Sequence, residues 1–374
     1  MAGIYIHIPF CKQKCSYCDF HFSTTFESYR AQMIDAICTE IRLRLGQSYD
    51  SQKIQTIYFG GGTPSLLNHT ELTKIVSTLF EFIDARDIIE FTLEANPDDI
   101  NNERLAVWKV LGINRLSIGV QSFENEDLRW MNRAHRADES LNAILMAQEF
   151  GFHNLTVDLM YGLPNQDLSR WKKQLDTVLK LNISHISSYC LTVEERTALK
   201  KFVENKQLII PDEELVAQQF DLLVNTLEYN GFEHYEISNF ALPTAHAVHN
   251  SNYWKGELYL GIGPSAHGFK GEERYWNIAN NASYIKALRH GELPETIEKL
   301  TPQNKFNELI LTGLRTKWGV DLDKLKALGL MDSQFEYRLE TMQDDGLLEW
   351  NGNHFRLTKK AKLQADYWAS ELFV

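Results

Sequence analysis

The sequence predicts an α/β fold, with about six strand–helix units laying down a parallel sheet and a small, mostly helical unit after them. Three observations predict it. Strand-like and helix-like stretches alternate from residue 1 to about residue 195, the pattern of parallel strands joined by crossover helices. Polar residues and glycines gather where the strands end, which is where parallel α/β folds carry their sites. From about Thr301 the pattern changes to short amphipathic helices followed by a hairpin signal. Six units make either an incomplete barrel or an open doubly wound sheet, and periodicity alone does not separate the two.

The predicted strands cover 4–8, 54–59, 89–94, 115–119, 154–159 and 185–191, each a short apolar run. Helical spacing of apolar residues predicts helices over 29–45, 71–82, 102–111, 140–150 and 168–181. Asp212-Glu213-Glu214 opens a further amphipathic helix that Asn230-Gly231 ends. Residues 233–268 are rich in His, Asn, Tyr and Gly, and Gly261-Ile262-Gly263-Pro264 is a turn signal, so loops at a pocket mouth are expected there. In the last unit, helices are expected over 306–314, 322–328 and 335–344. Asn351-Gly352-Asn353 then joins two strands in a hairpin, a winged-helix-like arrangement.

At 374 residues the chain is long enough to bury one large core and a smaller one. Its formal charge of -12 argues against nucleic acid as a partner, because phosphate binding calls for clustered Lys and Arg. No apolar run approaches membrane-spanning length, and the N-terminus runs straight into a strand-like stretch without a basic region or cleavage site. A cytoplasmic location is expected. Five cysteines, three of them crowded together, suit a metal site in a reducing compartment and not a disulfide framework. Cys38 and Cys190 lie in apolar patterns and are expected in the core.

The crowded thiols are Cys11, Cys15 and Cys18, in the loop after the first strand. Thiolates at such spacings hold iron–sulfur clusters, and full protein ligation of a four-iron cluster needs four. With three, one iron is left for an exogenous ligand. A zinc site would want a fourth ligand, with Asp19 and His21 the nearby candidates. Gly60-Gly61-Gly62-Thr63-Pro64 follows the second strand and lets a ligand approach the main chain. Glu94, Gln121 and Asp158 fall at or near the ends of the third, fourth and fifth strands. Singly each reads as a cap or a surface residue, and together they read as one shared pocket. His249 beside Tyr253 and Trp254 offers an imidazole and aromatic faces that suit a flat metal-bearing macrocycle.

Together these motifs resemble, over essentially the whole chain, the radical S-adenosylmethionine (SAM) family that contains the oxygen-independent coproporphyrinogen III oxidases and related haem chaperones. The resemblance implies an incomplete (β/α)6 parallel barrel over 1–210, a bridging segment over 211–297 and a C-terminal winged-helix-like domain over 298–374. It implies that Cys11, Cys15 and Cys18 bind a [4Fe-4S] cluster whose open iron is completed by SAM, which one electron from a donor then splits to a deoxyadenosyl radical. Tyr5 and Tyr17 would sit against SAM, and the backbone of Gly61, Gly62 and Thr63 would meet its methionyl part. Glu94, Gln121, Arg133 and Asp158 fall where the oxidases contact one or two SAM molecules.

The two branches of the family differ in ways this sequence reports. The oxidases resemble Cys-x3-Cys-x2-Cys-x-Cys, whereas the last position here is Phe20, and they carry a longer segment ahead of the cluster than the ten residues before Cys11. His249-Asn250-Ser251-Asn252-Tyr253-Trp254 matches the His-Asn-x-x-Tyr-Trp motif of the chaperone branch. The resemblance therefore implies a chaperone that binds haem near His249 and Tyr253 and passes it to an unidentified acceptor protein. Oxidative decarboxylation of coproporphyrinogen III is the alternative and is not expected. Peripheral membrane contact stays open.

Overall fold

A computed structural model describes residues 2–46 and 53–374. The six expected strands are β1 (Ala2–Ile8), β2 (Ile54–Gly61), β3 (Glu90–Ala95), β4 (Arg115–Gln121), β5 (Asn154–Tyr161) and β6 (His185–Cys190). Each pairs in parallel with the next. Between them run α1 (Arg30–Gly46), α2 (His69–Phe80), α3 (Asn102–Val110), α4 (Asn125–Trp130), α5 (Ala137–Glu149) and α6 (Leu168–Leu179). Helix α2 begins two residues earlier than its apolar pattern suggests because Asn68 and Glu71 form a capping box, each side chain accepting from the other's backbone N–H.

Alternation along these strands sorts apolar from polar residues. Ile4, Ile6 and Ile8 of β1, Ile57 and Phe59 of β2, and Leu155, Val157 and Leu159 of β5 are almost wholly buried in the core shared with the helices. The alternate positions, among them Tyr5, Tyr58, Glu94, Ser117 and Asp158, face cavities. One face of the sheet therefore makes the core and the other lines a site.

The expectation of loops over 233–268 is corrected. After α7 (Ala198–Glu204) and α8 (Glu213–Tyr229), β7 (Glu233–Glu236) and β8 (Asn239–Ala241) extend the sheet beyond β6. Next come α9 (Val248–Trp254), β9 (Leu258–Ile262), β10 (His267–Phe269), β11 (Glu273–Asn277), α10 (Asn281–Arg289) and β12 (Glu295–Lys299). Strand β9 pairs in parallel with β1, Leu258 opposite Ala2 and Ile262 opposite Ile6. The sheet runs β12-β11-β10-β9-β1-β2-β3-β4-β5-β6-β8-β7, so residues 211–297 supply strands to both its edges. Gly261, which reads as part of a turn, is needed for close approach, since a Cβ there would lie 1.8 Å from the His267 carbonyl oxygen.

A buried ionic network fastens the β9–β12 edge to α1. Arg44 donates to Glu40 at 2.7 Å, to Glu295 at 2.7 Å and to Asn277 at 3.0 Å. Glu40 also accepts from the Gly263 backbone, Asn277 and the Tyr284 hydroxyl. Both charges are thus satisfied without water, as their burial demands.

The C-terminal unit comprises α11 (Pro302–Leu314), β13 (Val320–Asp321), α12 (Leu322–Ala327), α13 (Ser333–Asp344), β14 (Leu348–Asn351), β15 (His354–Leu357) and α14 (Ala365–Glu371). Its three-stranded sheet and helices enclose a separate core around Phe306, Phe335, Leu339 and Phe355, the winged-helix-like arrangement expected. Ion pairs join it to the larger sheet, including Arg274 with Glu308 at 2.9 Å and Arg315 with Glu236 at 3.1 Å. Among the described residues, no helix is long and apolar enough to cross a membrane.

Candidate functional site

Two adjoining cavities open at the C-terminal ends of the parallel strands. The smaller, about 460 Å³, is lined by Cys11, Cys15, Tyr17, Cys18, Gly61, Gly62, Thr63, Glu94, Gln121, Arg133 and Asp158. The larger, about 1010 Å³, is walled by Tyr5, His7, Tyr253, Trp254, Phe269 and, from the C-terminal unit, Leu309 and Leu328. Phe20, Gly61 and Glu94 line both. Tyr5, expected beside SAM, faces the larger cavity.

The cysteine loop is held by its backbone. Cys11 N–H donates to the Ser23 carbonyl at 3.1 Å, Ser16 N–H to Met131 at 3.0 Å, and Leu199 N–H to the Ser16 carbonyl at 2.8 Å. Thr63 donates to the Cys11 sulfur and Arg133 to the Cys15 sulfur, each at 3.5 Å. Burial pushes the Cys11 thiol up to about 12 and the Cys18 thiol up to about 11, so these thiols ionise only against a cation. Among the described residues, no three His, Cys, Asp or Glu side chains converge tightly enough to hold one metal ion. His21 also directs Nε2 to Asn281 at 2.8 Å. Three thiols on one loop suit an iron–sulfur cluster with one iron left open, whereas a tetrahedral zinc would want a fourth ligand that His21, turned to Asn281, does not supply.

The glycine turn after β2 is shaped by its neighbours. Gly61 has φ +106°, and a Cβ there would lie 2.6 Å from His7 Nδ1; at Gly62 it would lie 2.6 Å from the Phe10 carbonyl oxygen. The main chain of Gly61 to Thr63 consequently forms the cavity wall itself. At the end of β4, Gln121 sits in the left-handed region at φ +67°, an unusual place for a residue with a side chain and one that recurs at ligand sites.

The carboxyls are tuned by burial. Glu94 accepts from the Tyr58 hydroxyl at 2.8 Å, and burial together with the Asp158 charge pushes it up to about 7. Burial pushes Asp158 up to about 6 against the donating Ser117 hydroxyl, 3.3 Å from either oxygen. Both are poised to accept hydrogen bonds from hydroxyls or an amine. Arg133 donates through Nη2 to Asn96 at 2.6 Å and to the Gly119 carbonyl at 2.8 Å, while its buried Nε has no partner. A buried orphan donor in a cavity wall fits an anionic ligand group.

His249 and Tyr253 are brought together, but only Tyr253 lines the larger cavity. His249 is buried, with Nδ1 against Thr56 Oγ1 at 2.8 Å and Nε2 against the Tyr253 hydroxyl at 2.7 Å, and burial lowers its pKa to about 3. The N-terminus of α9 is fixed by the Glu90 carboxylate, which accepts from the backbone of Val248 and His249 at 2.8 Å each. Cys190, expected in the core, is instead exposed in the smaller cavity, because β6 ends at its rim. Tyr58, Asn96 and Ser117 were not singled out by sequence; their signal was the inward phase of strand alternation and the Asn96-Pro97 turn after Glu94.

Fold and site together define a radical SAM protein. Residues 5–178 match the radical SAM superfamily model, and residues 300–363 match the HemN C-terminal domain model. The chain is 33% identical to the heme chaperone HemW of Bacillus subtilis (strain 168), over 97% of both chains. It is 35% identical to the heme chaperone HemW of Lactococcus lactis subsp. lactis (strain IL1403), over 86% of this chain and 83% of that one. Among solved structures, the radical SAM enzyme coproporphyrinogen III oxidase (HemN) from Escherichia coli superposes with a TM-score of 0.85 at 23% identity, over 100% of this chain and 90% of that one, a likeness of fold. The chain belongs to the HemW family of radical SAM proteins.

Proposed function

We propose that this chain binds haem and passes it to an acceptor protein in the cytoplasm, with a [4Fe-4S] cluster and SAM bound beside the haem. The observation that carries the reading is the shared wall. A cavity lined by three thiols and tuned polar groups abuts a larger one with aromatic walls, and Phe20, Gly61 and Glu94 belong to both. Cys11, Cys15 and Cys18 would hold the cluster. Gly61, Gly62, Thr63, Glu94, Gln121, Arg133 and Asp158 would hold SAM, with Tyr17 beside it and Tyr5 on the far side of the shared wall. Once bound and reduced by a donor, the cluster and SAM supply one-electron chemistry, while the protein's part is positioning and electrostatics. Arg133 would grip a carboxylate with its planar fork.

The larger cavity supports the haem assignment by its size and walls. Tyr253, Trp254 and Phe269 present flat apolar faces, and Lys255 and Lys324 at its edge carry no ion pair among the described residues. His249 would act through Tyr253 by fixing its hydroxyl. The test is anaerobic cluster reconstitution followed by parallel assays of haem retention and coproporphyrinogen conversion on one preparation. Haem retained without porphyrin product is expected. Protoporphyrinogen formed without stable haem binding would place the chain with the oxidases instead.

A further inference from the structure

Three histidines, His7, His21 and His267, line the larger cavity. Their nitrogens are not equally free. His7 is buried, holds Nε2 against the His21 carbonyl at 2.8 Å and turns Nδ1 towards the Tyr5 hydroxyl at 3.4 Å. His21 holds Nε2 against Asn281 Oδ1 at 2.8 Å. His267 opens β10, is exposed, and among the described residues hydrogen-bonds through neither ring nitrogen. Trp276, whose ring lies 6.1 Å away across the β10–β11 pair, steadies the imidazole from one side.

We infer that His267 is the axial ligand of haem iron in this cavity, with Lys255 and Lys324 meeting the two propionates; the inference rests on the haem reading above. Iron binds the neutral imidazole, and the ring's partial burial and the Arg274 guanidinium both favour that form. His249 is the competing candidate from the sequence motif. To ligate iron it would have to leave Thr56 or Tyr253 and strand a buried hydroxyl, whereas His267 breaks no hydrogen bond. The cations suit a dianion. Lys305 and Arg274, also in the wall, are already paired with Glu272 and Glu308, while Lys324 and Lys255, whose ammonium lies 4.5 Å over the Trp318 ring, pair with no carboxylate among the described residues.

The experiment titrates ferric protoporphyrin IX chloride into the reconstituted full chain and follows absorption and electron paramagnetic resonance of the haem iron. His267→Ala should lose the imidazole-ligated signature and bind at least tenfold more weakly. Metal-free protoporphyrin IX, which has no iron to ligate, should bind that variant within twofold of the unmodified chain. Added imidazole should restore the signature to His267→Gly. An unchanged iron spectrum in His267→Ala, or loss of the signature in His249→Ala with retention in His267→Ala, would overturn the assignment. If the unmodified chain takes up no ferric porphyrin at all, the haem reading itself fails and this inference falls with it.

Discussion

The Tyr58 hydroxyl donates to Glu94 at 2.8 Å on the wall that the two cavities share. Glu94 is an acid whose pKa burial has raised to about 7 from an ordinary 4.5. Folding therefore favours its protonated form. The stability this gives is fully present below about pH 4.5 and is lost as the pH rises through about 7. Glu94→Gln keeps an oxygen for Tyr58 and carries no charge. Before cluster reconstitution, the variant should match the unmodified chain at pH 4.5 and be more stable at pH 8 by ~3 kcal/mol. Urea unfolding at the two pH values measures this, and a difference that ignores pH would count against it.

Cys15→Ala should abolish cluster assembly and leave the fold nearly intact. The loop's hydrogen bonds to Ser23, Met131 and Leu199 run through the backbone and do not involve the thiol. The expected result is loss of the broad visible absorption after reconstitution, with a thermal midpoint within ~3 °C of the unmodified protein, since no core packing is removed. Global unfolding would show that the cluster is a structural element.

Arg133→Lys should still assemble a cluster but bind SAM at least tenfold more weakly. A lysine cannot bridge Asn96, the Gly119 carbonyl and the Cys15 sulfur at once, nor offer a second fork nitrogen to a ligand. The electron paramagnetic resonance spectrum of the reduced cluster, titrated with SAM, reports both outcomes. Equal SAM affinity in the two proteins would remove Arg133 from the site.

Glu40→Ala should be among the most damaging single changes outside the cavities. It leaves the Arg44 guanidinium, 2% exposed, with only one of its two carboxylate partners, and frees the Gly263 N–H and the Tyr284 hydroxyl. Breaking a buried pair from one side costs about 3–5 kcal/mol. Chemical denaturation measures the loss, and Glu40→Gln, which retains an acceptor, should lie between the variant and the unmodified chain.

Much of this was legible in the sequence. The six parallel strands were visible because each is a short, mostly apolar run, and their bounds moved by only a few residues. The cluster loop, the glycine turn, Glu94, Gln121 and Asp158 were visible because they interrupt that apolar pattern at its ends. The β9–β12 edge was hidden. Its strands are three to five residues long and carry polar and aromatic residues; β10 to β12 pair with their near neighbours, but β9, which joins them to the sheet, pairs with β1 some 250 residues earlier. Local periodicity holds no record of so distant a partner. The environment of His249 was hidden for the same reason, because Thr56 and Glu90, which hold its ring and its backbone, belong to β2 and β3.

The pairing of β9 with β1 also fixes an order of events during synthesis. β1 emerges first and acquires β2 early, yet its other edge stays unpaired until residues 258–262 have left the ribosome. A nascent chain holds that open edge for ~10–50 s at usual elongation rates. The strand that carries the cysteine loop is thus among the earliest made and among the latest completed, so a transcript cut short before residue 258 yields a chain with a bare hydrophobic strand edge, ready to pair with another copy of itself.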